Sequence, residues 1–303
     1  MENEGQNPRG WFANYRRIRY QITGSKKLRV PLLWLRHRGL RSSDVFLGSY
    51  PRSGCTWLRF NLFEILTGQP ATFQSVNRGL RGPGSHYWGL PLLPGNGRFL
   101  SIHEPYRADY KKIVYLVRDV RDVVSSEFWY EKERGFGCSD FDDYLLRMLQ
   151  GRKMYGSWQD HVGSWIHSEA ASNKNLLLIR YEDMRQRPEL ILSELVRFLG
   201  LPVDSASIRR AVANNALQKM RAKEDALKST PKQVRFPERP EGPSREEGRF
   251  IRQGKVGGWR EQLSESQVRL IERYAGSTLV ELGYTLSPQP IFDPVLTAHG
   301  PRN

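Results

Sequence analysis

Residues 45–57, Val-Phe-Leu-Gly-Ser-Tyr-Pro-Arg-Ser-Gly-Cys-Thr-Trp, run from a short apolar stretch through a tight turn into an amphipathic segment. Val45 to Leu47 read as a strand, Pro51, Ser53 and Gly54 are turn residues, and Trp57, Phe60, Leu62, Phe63 and Leu66 recur at helical spacing. Backbone N–H groups at such a helix start point at an anion, and the helix dipole adds to the attraction. A nucleoside-triphosphate loop spaces its glycines by four residues and follows them with Lys. Here Gly48 and Gly54 stand one residue too far apart, and Cys55 takes the lysine position. The anion cradle is retained without the triphosphate lysine. Taken alone, the segment is equally compatible with an ordinary strand-turn-helix connection.

From Val45 onward, short apolar runs alternate with helical patterns. Strands are expected at 45–49, 99–102, 112–117 and 176–180, and helices at 56–67, 120–133, 140–150, 158–171, 188–199, 205–215 and 265–282. The alternation predicts an α/β fold, a single parallel sheet with helices on both faces, and such sheets bind ligands at the C-terminal ends of their strands. We expect a basic N-terminal extension at 1–44, one domain at 45–284 and a C-terminal tail at 285–303. Two long irregular segments, 78–98 and 221–258, are rich in Gly, Pro or charge, as functional lids and disordered loops both are.

The chain of 303 residues carries 47 basic and 32 acidic residues, a formal charge of +15, which points to anionic partners without choosing among them. Residues 5–43 hold ten Lys or Arg and no acid, and Trp11, Tyr15, Ile18 and Ile22 form a helical stripe. A stripe of this kind packs on its own domain or makes peripheral contact with an anionic membrane. The two cysteines, Cys55 and Cys138, lie in no metal or redox spacing, and Val30 to Leu35 is far shorter than a membrane span. A cytoplasmic location is expected. No metal site is expected either, since His161 and His167 are six residues apart, wrong for one helix face.

Three further segments carry chemistry. Arg118 ends a predicted strand and Ser126 lies two turns into the next helix, so an Arg fork and a hydroxyl can share one phosphate. Residues 252–259, Arg-Gln-Gly-Lys-Val-Gly-Gly-Trp, combine charge with glycines that let backbone N–H groups approach a ligand. His103 stands at the end of a strand, where Pro105 turns the chain out of the sheet. Each segment also has a plain structural reading: a capped helix, a basic loop, a core histidine.

In order and spacing, these segments resemble the soluble, cytosolic-type sulfotransferases that use 3′-phosphoadenosine-5′-phosphosulfate (PAPS). The family's Tyr-Pro-Lys-Ser-Gly-Thr-Thr-Trp reads here Tyr50-Pro51-Arg52-Ser53-Gly54-Cys55-Thr56-Trp57, and its Lys-Thr-His-x-Pro reads Ser101-Ile102-His103-Glu104-Pro105. Its paired Arg and Ser read Arg118 and Ser126, its Tyr-Glu-Asp reads Tyr181-Glu182-Asp183, and its glycine-rich motif reads 252–259. The resemblance spans roughly 45–284. It implies a P-loop-like fold and sulfuryl transfer from PAPS to a hydroxyl, leaving adenosine 3′,5′-bisphosphate (PAP), with no metal. It also implies that Arg52, Ser53, Gly54, Cys55 and Thr56 hold the 5′-phosphosulfate and that Trp57 and Tyr181 hold the adenine. By the same resemblance, Arg118, Ser126, Arg252, Gln253 and Gly254 belong to the 3′-phosphate side, His103 is the general base, and Arg52 stabilises the leaving phosphate.

The chain departs from the family pattern at Arg52 and Cys55, where Lys and Thr are usual, and at Ser101 and Gln253, each in place of a Lys. Leu217 stands where an aromatic often meets the adenine. A small-molecule or lipid-like hydroxylated acceptor is expected, and no nucleic acid, in a pocket walled by His86, Tyr87, Trp88, Phe128 and Trp129. Two alternatives remain at this level: a nucleotide-binding homologue acting on a membrane or partner, and an ATP- and Mg²⁺-dependent phosphotransferase with Asp119 as ligand. Cys55 at the lysine position speaks against the second.

Overall fold

The computed structural model describes residues 34–133, 140–202, 204–226, 251 and 254–288. The basic stripe at Trp11, Tyr15, Ile18 and Ile22, and Arg252 and Gln253, lie outside the described residues. All four expected strands form, as β1 (Val45–Ser49), β2 (Phe99–Ile102), β3 (Lys112–Val117) and β4 (Leu176–Arg180). They make one fully parallel sheet in the order β2-β1-β3-β4. The helices are α1 (Cys55–Thr67), α2 (Phe73–Gly79), α3 (Val120–Glu133), α4 (Phe141–Leu149), α5 (Trp158–Ile166), α6 (Glu169–Ser172), α7 (Tyr181–Gln186), α8 (Pro188–Phe198), α9 (Ser205–Asn214), α10 (Leu217–Ala226) and α11 (Glu265–Glu281).

The pleat explains why the central strands read as continuous apolar runs. Phe46, Ile113, Tyr115 and Val117 point to one face and join a cluster with Val123, Leu145, Trp165 and Ile271. Val45, Leu47, Val114 and Leu116 point to the other and join Leu58, Leu62, Leu195 and Ile208. A parallel sheet covered on both faces needs apolar residues at every position. Truncating one such buried side chain, for example Leu116→Ala, costs about 2–5 kcal/mol. Gly48 serves the packing directly: a Cβ there would lie 2.8 Å from the Trp165 ring, which lies against the strand.

Two expectations shift in detail. The helix expected over 158–171 divides into α5 and α6, because the Ser168 hydroxyl accepts from the N–H of Ala171 and restarts the helix. The segment expected to be irregular from 78 begins inside α2, which a Thr72–Ser75 capping box starts. Across 86–96 the chain makes only two short 3₁₀ turns.

Candidate active site

Strand ends build the site. Ser49 closes β1, while His103, Arg118 and Tyr181 each follow directly on β2, β3 and β4, so the parallel sheet brings them to one rim. β1 has β2 on one side and β3 on the other, which opens the crevice where such sheets bind ligands.

The loop after β1 is held by unusual backbone. Arg52 has φ 65° and Gly54, the residue before α1, has φ 96°. The cost of a left-handed conformation at a non-glycine, about 1–3 kcal/mol, is tolerated where the surroundings enforce it. At Gly54 a side chain is excluded twice over, since a Cβ would also lie 2.5 Å from the Tyr181 ring. No side chain caps α1 and its first turn holds no acid. Ser53 N–H donates to Tyr50 O at 3.3 Å, and the next amide to reach a carbonyl is Trp57 N–H, on Gly54 O at 3.0 Å. The amides of Gly54, Cys55 and Thr56 between them are therefore left for an anion at a helix start. The Ser53 hydroxyl is buried in the same loop with no partner among the described residues.

Arg118 ties three segments together. Its guanidinium donates to Arg52 O (3.3 Å) and Lys255 O (2.9 Å), stacks 4.4 Å over the Tyr181 ring and lies 3.5 Å from Asp122. Its Nε is buried without a partner among the described residues. The Asp122 carboxylate in turn accepts from Gly257 N and Trp259 N, both at 2.9 Å, and so pins the glycine-rich segment to α3. Arg52 donates through Nε to the Ser126 hydroxyl at 3.2 Å. The Tyr181 hydroxyl donates to Gly254 O at 3.2 Å. The Trp57 indole donates to Asn215 O at 2.8 Å, with Arg185 5.1 Å over its ring. Asp119 faces away from this crevice chemistry, since its two carboxylate oxygens are taken by Arg121.

His103 is fixed at both ends of its residue. Its Nδ1 lies 2.7 Å from Ser49 O, which can only accept, so Nδ1 carries the proton and Nε2 keeps its lone pair. Its own carbonyl accepts from His161 Nε2 at 3.1 Å, and His161 Nδ1 accepts from the Tyr115 hydroxyl at 2.9 Å. Burial lowers the pKa of His103 below its ordinary value, and the nearby Arg59 charge lowers it further against the opposing Ser49 bond. Burial pulls His161 down to about 3.

Two cavities meet at His103. The first, about 300 Å³, is lined by Arg52, Gly54, Thr56, Trp57, Arg118 and Tyr181 among others. The second, about 490 Å³, is lined by Arg59, Gln74, Asn77, Arg78, Arg81 and Ser101 among others. Among the described residues, Arg59 and His103 are the only ones common to both linings.

The residues named from the sequence at 52–57, 103, 118, 126, 181 and 254 thus surround one crevice, and all of them except Ser53 line the first cavity. The five expected to wall an acceptor pocket line neither cavity. His86 is fully buried between Gly84 N and Arg38 O, while Tyr87 and Trp88 are exposed. Phe128 is packed against Phe141 and Tyr144 in the core, and Trp129 packs on the same cluster. The reason is helical phase for the last two and a 3₁₀ turn for the first three. Sequence reasoning passed over Arg59, Asp122 and Tyr155, whose ring centre is 5.9 Å from that of His103. Asp122 carried a signal, as a carboxylate four residues after Arg118 on a helix start.

Comparison with known proteins gives a consistent result. A family profile described as a sulfotransferase domain matches residues 98–283. Sulfotransferase 2B1 of Homo sapiens is 28% identical over 251 residues, covering 77% of this chain and 65% of that protein, so this chain spans a little under two thirds of that relative. Sulfotransferase 2A1 of Macaca fascicularis is 27% identical, covering 82% of this chain and 88% of that one. Among solved structures, a mouse sulfotransferase complexed with PAP matches with a TM-score of 0.61 at 24% identity, over 82% of this chain and 87% of that one. A retinol dehydratase in complex with androsterone and PAP matches at 0.64 and 22%, over 85% of each chain. At these identities the two structures speak for the fold alone.

Proposed function

The chain belongs to the sulfotransferase domain family, and we propose that it moves the sulfuryl group of PAPS to a hydroxyl of a small acceptor, leaving PAP. The catalytic unit in this reading is 45–284. The observation that carries it is His103, which has Nδ1 committed to Ser49 O and lines both cavities. The crevice fits a ligand that is anionic at two places. Two buried polar atoms, the Ser53 hydroxyl and Arg118 Nε, have no partner among the described residues. A helix start without acids adjoins one of them.

When bound, PAPS supplies an activated sulfur joined to a phosphate oxygen. The acceptor oxygen bonds to sulfur as the sulfur–bridging oxygen bond breaks, and the electron pair leaves with the phosphate. His103 Nε2 takes the hydroxyl proton, a transfer helped by an imidazole that burial keeps neutral at pH 7. Arg52, beside the helix start, offsets charge growing on the leaving phosphate. The loop at 52–56 holds the 5′ side, Trp57 and Tyr181 the adenine, and Arg118 and Ser126 the 3′-phosphate. Arg252 and Gln253 belong to the same group by sequence. The reading requires no metal.

Support for a small hydroxylated acceptor comes from relatives, among them a 3-alpha-hydroxysteroid sulfotransferase of Cavia porcellus. Among the described residues no helix is long and apolar enough to cross a membrane. Calorimetry with PAP and with AMP in the presence of a chelator tests the donor half. PAP is expected to bind at least about tenfold tighter, as one charge-assisted contact alone provides. Equal affinity would remove Arg118 and Ser126 from a 3′-phosphate site.

A further inference from the structure

We propose that the acceptor carries an anionic group, a carboxylate, sulfate or phosphate, held by Arg78 and Arg81 in the cavity beside His103. The proposal rests on the sulfuryl-transfer reading above. At about 490 Å³ the second cavity has the size of a small-molecule site. Among the described residues its lining holds three arginines, Arg59, Arg78 and Arg81, and no carboxylate.

These arginines differ from those that stabilise the fold. Arg98 pairs with Asp44 at 2.6 Å and Arg121 with Asp119 at 2.7 Å, both buried and both neutralised. Around the cavity, Arg59 donates to Asn77 Oδ1 (3.1 Å) and Leu80 O (2.7 Å), and Arg81 donates to Arg78 O (3.2 Å). These contacts, with the Trp88 ring 6.0 Å from the Arg81 guanidinium, anchor Arg59 and Arg81 against neutral groups and leave the positive charge unbalanced. Arg59 Nε is buried without any partner, and none of the three has an ion pair among the described residues. Ser101 N–H donates to Arg81 O at 3.2 Å, which fastens the Arg81 segment alongside β2 and so close to His103. Arg78 is exposed and Arg81 half-buried, while Arg59 has its Nε buried; three cations around one cavity without counter-charge among the described residues favour an anion in the space between them. Arg78 and Arg81 line only this cavity, so their charge serves what enters there and not the first cavity. An acceptor with its hydroxyl at His103 Nε2 and its anion toward Arg78 and Arg81 satisfies both ends.

The experiment is a transfer panel with labelled PAPS: hydroxyphenylacetate, a hydroxyphenyl phosphate and a hydroxyalkanoate, each beside its neutral amide or ester. The charged member of at least one pair is expected to be preferred by about tenfold or more in kcat/KM. Arg78→Gln and Arg81→Gln should each raise KM for it several-fold with kcat, thermal melting and PAP affinity unchanged. The carboxylate and phosphate arms identify which anion is used. Neutral members transferred equally well, a preference that survives both substitutions, or no transfer to any charged member while PAP still binds would overturn the acceptor assignment and leave the donor reading standing. Failure of PAP to bind would instead strike the donor reading.

Discussion

Nδ1 of His103 stands 2.7 Å from the carbonyl oxygen of Ser49, so the end of one strand sets the tautomer of the residue that follows its neighbour. His103→Ala is therefore expected to lower single-turnover transfer by about 10²–10⁴-fold with PAP affinity unchanged. An unaltered rate would remove His103 from the chemistry.

The pH profile follows from the same residue. Burial and the Arg59 charge lower its pKa, so the imidazole is neutral at pH 7 and is lost as a base only on acidification. The acid limb of kcat/KM should have its midpoint below about 6.5, the value of free histidine. Arg59→Gln removes one lowering influence and should move that midpoint upward. A limb that stays put in the variant would contradict the electrostatic account.

Asp122 holds the N–H groups of Gly257 and Trp259. Asp122→Asn replaces one carboxylate acceptor with an amide and should destabilise the protein by about 1–3 kcal/mol. Hydrogen exchange at those two amides should quicken more than at the β3 amides. Uniform quickening would mean global loosening and not release of this segment.

Acid should destabilise the fold through His161. Its folded-state pKa of about 3 lies below the unfolded value, so the unfolded chain binds the extra proton and stability falls as pH drops from about 6.5 toward 3. The slope approaches roughly 1.4 kcal/mol per pH unit for this group. Chemical denaturation at stepped pH checks it, and His161→Gln should flatten the slope.

The strands were legible because each of the four is short, apolar and bounded by turn residues, and β1 to β4 begin and end where expected. Helix existence was legible wherever apolar residues kept the period, as in α3 and α8. The missed α7 and α10 are polar and short, with Tyr181, Met184 and Met220 as their only buried apolar side chains, so packing against the rest of the chain decides them. In the site, Arg118 and His103 stood out because strand ends are readable. The aromatics at 86–88 and 128–129 line neither cavity, because such side chains can serve a core, a turn or a surface equally well. Arg59 was invisible as a site residue because its neighbours, Asn77 and Leu80, arrive from a separate helix.

Two chambers that share, among the described residues, only Arg59 and His103 have a kinetic corollary. If neither ligand has to pass through the other's chamber, donor and acceptor can arrive in either order. The spent nucleotide then need not leave before a fresh acceptor settles. Initial-rate patterns should intersect without a compulsory sequence, and excess acceptor should slow turnover by trapping an unproductive complex with PAP. Strictly ordered binding, with acceptor affinity absent until PAP is added, would show that one chamber is completed only by filling the other.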